Sequence, residues 1–207
     1  MLINTKEKIL EVAFVLFLNK GYDSVSISNI KKEANVGSGT IYNYFKSKED
    51  LYDEVLNKYL INLFYIFIEN IKNFNGNTKE KLIFFNMEFL TSEESDKYLR
   101  LKHVDYKFKE IDYRKMHFLY IAGLQHHKSI KNKTEKFATD INKLLNEIII
   151  QGKLNNEIRE DLDEKEIVPF ILSTFSGIYF LWLNNDDLNI KEVVNSNVCH
   201  IWNYISK

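Results

Sequence analysis

The chain has 207 residues, 45% hydrophobic and 28% charged, a balance that suits a globular protein with a sizeable core and excludes a disordered one. A single cysteine excludes an internal disulfide framework and a cysteine-built zinc site, and a formal net charge of −1 excludes a polycation, so any nucleic-acid surface has to be a local patch. Seven glycines and one proline are few for this length, which favours long helices over turn-rich sheets, and the fold class expected is all-α with about nine helices.

The N-terminus, Met1-Leu2-Ile3-Asn4-Thr5-Lys6-Glu7, has no basic region followed by an apolar one, so no signal peptide is expected and the location expected is cytoplasmic. Ile9, Leu10, Ala13, Phe14, Phe17 and Leu18 recur at helical spacing and predict a helix over Thr5–Lys20, closed by Gly21. Ser26 caps a short second helix burying Ile27, Ile30 and Ala34. Asn35-Val36-Gly37 reads as a turn, because Asn and Gly tolerate positive φ, and a third helix follows over Ser38–Tyr44 with Ile41 and Phe45 facing inward.

Ser47-Lys48-Glu49-Asp50 resembles a capping box and opens a fourth helix, in which Leu51, Val55, Tyr59, Leu63, Phe67 and Ile71 keep one face for about six turns before Asn73–Asn77 breaks it. Further starts are expected at Thr78, at Thr91 with Glu94, at Asp163 with Glu166 and at Asn189 with Glu192. Two or three helices are expected between Ser95 and Gln151, with Lys128–Thr134 the most polar candidate loop. Ile167–Asn185 carries no charge for 19 residues and imitates a membrane span, but it contains Pro169, Ser173, Thr174, Ser176 and Gly177 and has acidic flanks. A spanning helix normally has Lys or Arg at its cytoplasmic end, so a helix buried on most sides is the preferred reading. Pro169 lies too deep for a helix starting at Glu164 unless the helix kinks there or its first turn is separate.

Three short helices with a four-residue turn between the second and third have helix-turn-helix geometry. At this point the chain resembles the tetracycline-repressor (TetR) family of bacterial transcription regulators. The resemblance rests on residues 9–17 (Ile-Leu-Glu-Val-Ala-Phe-Val-Leu-Phe), Gly21-Tyr22, Ser26 to Ile30, Glu33 to Val36 and Gly39 to Leu51, about the first quarter of the chain. It implies a DNA-binding head over residues 1–47 and an effector-binding and dimerisation domain over residues 48–207. Two positions depart from the family pattern. Asn35 stands where Gly is usual, and Gly37 where a Ser cap is usual.

On a helix, Ile41 and Phe45 point one way while Gly39, Thr40 and Asn43 point the other, and that outer face would enter a major groove. Gly39 permits close approach, Asn43 can pair bidentately with adenine and Thr40 can touch a base edge. Tyr42 and Tyr44 can donate to phosphates, Ser26 and Ser28 can hold a phosphate at the start of the second helix, and Ser38 can contact another. Lys48 looks like the family's phosphate-binding lysine. Residues 5–48 carry seven lysines against four acidic residues, a net +3 that leaves −4 for the remainder, an asymmetry with the sign DNA needs.

The resemblance implies an apolar effector cavity, with Phe64, Phe67, His103, Tyr106, Tyr113, Met116, His117 and Tyr120 as candidate lining residues. It also implies a homodimer built from two C-terminal helices. Ser173 and Gly177 lie at i and i+4 on a helix over about Lys165–Leu183, and Val194, Val198, Ile201, Trp202 and Ile205 share one face of the last helix. The partners expected are a double-stranded operator, a mostly apolar small molecule and a second copy, with no membrane. No cofactor and no metal are expected: His126 and His127 are adjacent and diverge on a helix, and no His-x3-His pair occurs. Cys199 reads as a small interface residue. The sequence has no Gly-rich phosphate loop, nucleophile elbow or paired-carboxylate motif, so no enzyme is expected. The competing expectation is a helical co-regulator of the same fold that binds an effector or a protein but not specific DNA.

Overall fold

The computed structural model describes residues 4–91 and 113–207. Its helices are α1 (Thr5–Lys20), α2 (Ile27–Ala34), α3 (Ser38–Tyr44), α4 (Lys48–Leu56), a π-helical segment (Asn57–Ile61), α5 (Asn62–Asn73), α6 (Thr78–Thr91), α7 (Tyr113–His126), α8 (Lys128–Leu154), α9 (Glu164–Asn184) and α10 (Ile190–Ile205). Among the described residues the only non-helical pairing is an isolated bridge between Ile158 and Ser206. Thr91, expected to start a helix, is the last residue of α6, and Glu94, His103 and Tyr106 lie outside the described residues.

The described chain forms two units, residues 4–64 with 113–136, and residues 65–91 with 137–207. In the first, α1 packs on α2, α3, α4 and α7, α2 packs on α3, and α4 packs on α7. All six residues expected on the inner face of α1 are buried, and Val12 joins them at 1% exposure, because α1 is enclosed by neighbours on several sides. The helix boundaries follow from their caps. Asn4 Oδ1 accepts from Glu7 N, and the Gly21 amide, at φ 75°, donates to Phe17 O. Asn35 at φ 50° and ψ 54° supplies the left-handed turn after α2, where Asn is the next best residue to Gly. Ser47 Oγ accepts from Asp50 N to start α4.

One expected helix is corrected. The fourth keeps its α-helical register only to Leu56, and the π segment then inserts one residue into the repeat. The buried face steps from Tyr59 to Phe64, five residues on, so that Phe64, Phe67, Ile68 and Ile71 are buried while Leu63 is only partly so. A second correction concerns residues 128–134, expected as a loop. They form the first two turns of α8. Ile130 is fully buried there, and Lys128, Ser129, Lys131 and Asn132 face solvent, so polarity marks an exposed helical face. The joint is His127 alone.

In the second unit α6 packs on α9 and α10, which also pack on each other. Phe67, Phe85, Phe89, Phe137, Phe175 and Tyr179 form a continuous ring cluster with centroid separations of 5.1 to 6.5 Å. The chain end is tied back by Arg159 N donating to Ile205 O and Lys207 N donating to Glu157 O. Asp163 caps α9 by accepting from Lys165 N. Pro169 lies inside α9, which runs as one helix from Glu164 to Asn184; the proline lacks the N–H that would have bonded the carbonyl four residues back. Among the described residues α9 is the one helix long and apolar enough to cross a membrane. It buries Ile167, Val168, Ile171, Ile178 and Trp182 within its own unit, and the hydroxyls of Thr174 and Ser176 donate to the carbonyls of Phe170 and Leu172.

Candidate nucleic-acid interface

The head positions α3 by burying one side of it. Ile41 is 0% and Phe45 1% exposed, whereas Tyr42 is 57% and Tyr44 43% exposed. Gly39 and Asn43 are exposed with them, Thr40 is partly exposed, and a Cβ built on Gly39 meets nothing within 4 Å. The outward face thus has no acidic side chain and holds a close-approach glycine beside an amide. Gly37 caps α3 without a side-chain hydrogen bond, as the glycine there requires; the side chain of Ser38 lies outside the description.

At the start of α2 the hydroxyl of Ser26 is already engaged. Asn29 N donates to Ser26 Oγ at 3.1 Å, while Ser26 N and Ser26 Oγ donate to Asn29 Oδ1 at 2.8 and 2.7 Å. This capping box uses Asn where Glu or Gln is usual, and Asn29 was not singled out by sequence reasoning. Ser28 is exposed beside it. Lys46 N donates to Asp50 Oδ2 at 2.8 Å, which closes the turn between α3 and α4.

Lys48 stands at the first position of α4, with its Nζ 4.0 Å from the centre of the Tyr22 ring. The Tyr22 phenol is pushed up to about 12, first by burial and then by the Glu49 carboxylate to which it donates. Glu49 is held below its ordinary value by a backbone N–H, then by the Ser47 hydroxyl and the Tyr22 phenol. Behind Tyr22, Asp53 grips the start of α8: Oδ1 lies 2.6 Å from His127 Nδ1, and Oδ2 accepts from Ser129 Oγ at 2.8 Å. Tyr52 Oη donates to Leu119 O at 2.9 Å, and burial pushes its phenol upward. Sequence reasoning missed Tyr22, Asp53 and His127, whose partners lie 26, 74 and 105 positions away in the chain or adjoin residues that do, and no local spacing reports them.

The effector candidates divide between the units. Phe64 and Tyr120 meet edge to face at 5.2 Å, and Tyr120 Oη donates to Thr134 Oγ1 at 2.7 Å. Met116 is buried. His117 is partly buried, and the protein around its ring lowers it to about 4 by desolvation. Phe67 belongs to the second unit. His103 and Tyr106 lie outside the described residues, as does the side chain of Tyr113.

The dimer candidates divide by face. Val194, Val198, Ile201 and Ile205 are 0 to 4% exposed within their own unit. They hold α10 to its neighbours, which corrects their expected place on a self-pairing surface. Ser173 and Gly177 are exposed, Trp202 is partly buried and Cys199 is exposed. The outer face adds Phe170, Phe180, Leu181 and Tyr204, all 48 to 64% exposed. An open groove of about 400 Å³ lies there, lined by Leu162, Glu166, Ile167, Phe170 and Tyr204.

Residues 9–55 match the model for bacterial regulatory proteins of the tetR family. The HTH-type transcriptional regulator YhgD of Bacillus subtilis is 47% identical over 55 residues, 27% of this chain and 29% of that protein, so the match spans under a third of that relative. The fatty acid metabolism regulator protein of Bacillus subtilis is 25% identical over 179 residues, 86% of this chain and 84% of that one. The crystal structure of the transcriptional regulator FadR from Bacillus subtilis in complex with stearoyl-CoA superposes with a TM-score of 0.62 at 24% identity, covering 94% of this chain and 96% of that one.

Proposed function

We propose that this chain, whose residues 9–55 match the model for bacterial regulatory proteins of the tetR family, binds a palindromic operator as a homodimer, represses transcription there, and is released by a mostly apolar small molecule. The observation that carries the DNA reading is the division of α3: Ile41 and Phe45 hold it to the head, while Gly39, Tyr42, Asn43 and Tyr44 stand exposed with no acidic side chain on the helix. In the groove, Asn43 reads a base edge, Thr40 a second, and Tyr42, Tyr44 and Lys48 hold phosphates. Ser28 and Ser38 add phosphate contacts; Ser26 joins them only by opening its bond to Asn29.

Two heads are needed for two half-sites one helical turn apart. The exposed apolar side chains of α9 and α10 support a second copy as their cover, with Ser173 and Gly177 allowing close approach. The effector reading rests on the aromatic pair Phe64 and Tyr120 beside Met116 in the first unit and on a relative named for fatty acid metabolism, and favours an acyl or aromatic compound. Selection from random duplexes tests the DNA reading. A palindrome should be enriched, and affinity should fall steeply with salt because phosphate contacts dominate. A folded dimer that enriches no palindrome refutes it, and favours the effector-binding co-regulator without an operator.

A further inference from the structure

The lysine assigned to a phosphate does not stand free. Its Nζ lies 4.0 Å from the centre of the Tyr22 ring, within the range where a ring quadrupole attracts a cation. That ring is fixed by three others. It meets Tyr52 at 4.5 Å and Phe17 at 5.8 Å, and His127 approaches at 5.8 Å in an edge geometry. Phe17 and Tyr52 are each 1% exposed, and His127 is pinned by Asp53, so the seat has little freedom to move. The phenol of Tyr22 donates to Glu49, the residue after Lys48 in the first turn of α4. The cap of α4 is the bond from Asp50 N to Ser47 Oγ, which Tyr22 does not touch directly; its phenol meets the Ser47 hydroxyl only through their shared acceptor Glu49.

We propose that Tyr22 is a positioning residue for DNA binding: its ring seats the Lys48 ammonium at the start of α4 so that it meets a backbone phosphate already ordered. This rests on the DNA reading above. One face of the ammonium is held by the ring and its remaining N–H bonds stay available. A free lysine gives up much of its rotamer entropy when it is ordered on a phosphate. A seated one has lost part of it in folding, before the DNA arrives.

The test is titration of the full chain on its selected operator at several salt concentrations. Tyr22→Leu should weaken binding by about 3- to 30-fold in a dimer with two such seats, and should shift the salt slope in the same direction as Lys48→Ala. In the Lys48→Ala background the same substitution should change affinity by less than about twofold, because the pair act through one contact. Tyr22→Phe, which keeps the ring, should restore the slope that Tyr22→Leu loses.

Because leucine also removes packing, ring-fluorinated phenylalanines at position 22 provide a second measure. They preserve shape while withdrawing charge from the ring face, so binding should weaken stepwise with each fluorine. In the free protein the ε-methylene protons of Lys48 should show a ring-current shift that Tyr22→Leu abolishes. Additive costs of Tyr22→Leu and Lys48→Ala, or indifference to fluorination, overturn the positioning role while the DNA reading stands. A wild-type chain that binds no duplex overturns both.

Discussion

Gly123 of α7 is the sharpest test of how the first unit is packed. A Cβ built there falls 2.4 Å from Leu56 Cδ1 and 3.8 Å from Tyr52 Cε1, so the leucine contact is about 1 Å short of ordinary carbon separation. Leu56 is 0% and Tyr52 1% exposed, which leaves the leucine no open side to move into. Gly123→Ala therefore overpacks the α4–α7 seam at about 1–3 kcal/mol. Alanine recovers about 1 kcal/mol of helix propensity over glycine, and the net expected is a loss of about 0–2 kcal/mol. The clash is with one methyl, so Leu56→Val, which lacks a δ carbon, should remove it. In that background Gly123→Ala should stabilise by up to about 1 kcal/mol. Urea unfolding of the four proteins measures the coupling. Effects of Gly123→Ala that agree in the two backgrounds within about 0.5 kcal/mol would refute the steric account.

At the interface, Lys48→Ala should weaken all duplexes about equally and lower the salt slope by roughly one unit per head, measured by titration across salt concentrations. Asn43→Ala should cost about 1–3 kcal/mol at one base step and relax selection there; uniform weakening would deny it a base-reading role. Operator DNA should weaken effector binding by the factor by which effector weakens operator binding, about 5- to 150-fold, in paired titrations. Acid should destabilise the first unit through His117. Its imidazole falls from 6.5 to about 4 on folding, so the unfolded chain takes up the proton first and stability is lost as pH falls from 6.5 toward 4. His117→Gln should flatten that part of the pH–stability curve.

The parts of the fold legible in the sequence are those fixed by neighbours within a few positions. The caps at Ser26, Ser47, Asp163 and Asn189 depend on a side chain reaching a backbone group two or three residues away, and the end of α1 and the start of α3 fall at the glycines Gly21 and Gly37. The outward face of α3 follows from its period once Ile41 and Phe45 are recognised as buried. Register and partner choice were not legible. Nothing local marks the extra residue of the π segment, because Tyr59 and Phe64 fit equally apolar slots in either register. A run of polar residues beginning at Lys128 reads the same for a loop and for an exposed helical face, and the deciding tie, Ser129 and His127 on Asp53, spans 76 residues in the first case. The apolar period of Val194, Val198, Ile201 and Ile205 identifies a buried face without saying whether the same chain or another one buries it.

The polar ties inside the first unit limit how an effector can act on the head. Along α4 and the π segment, Tyr52 donates to Leu119 O, Asp53 holds His127 and Ser129, and Asn57 accepts from Lys133. Each tie contributes about 0.5–1.5 kcal/mol net, so sliding α4 past α7 and the start of α8 forfeits at least about 2 kcal/mol, before the Leu56–Gly123 seam is disturbed. Allosteric coupling amounts to about 1–3 kcal/mol in all. An effector that broke these ties would have little differential affinity left with which to shift the head. The head should therefore move together with α7 and the start of α8, its internal bonds intact. Amide exchange can check this. Protection at Tyr52–Leu56 and Leu119–Gly123 should be unchanged, or raised, when effector releases the operator, and loss of protection at both segments would show that the ties break and that α4 moves alone.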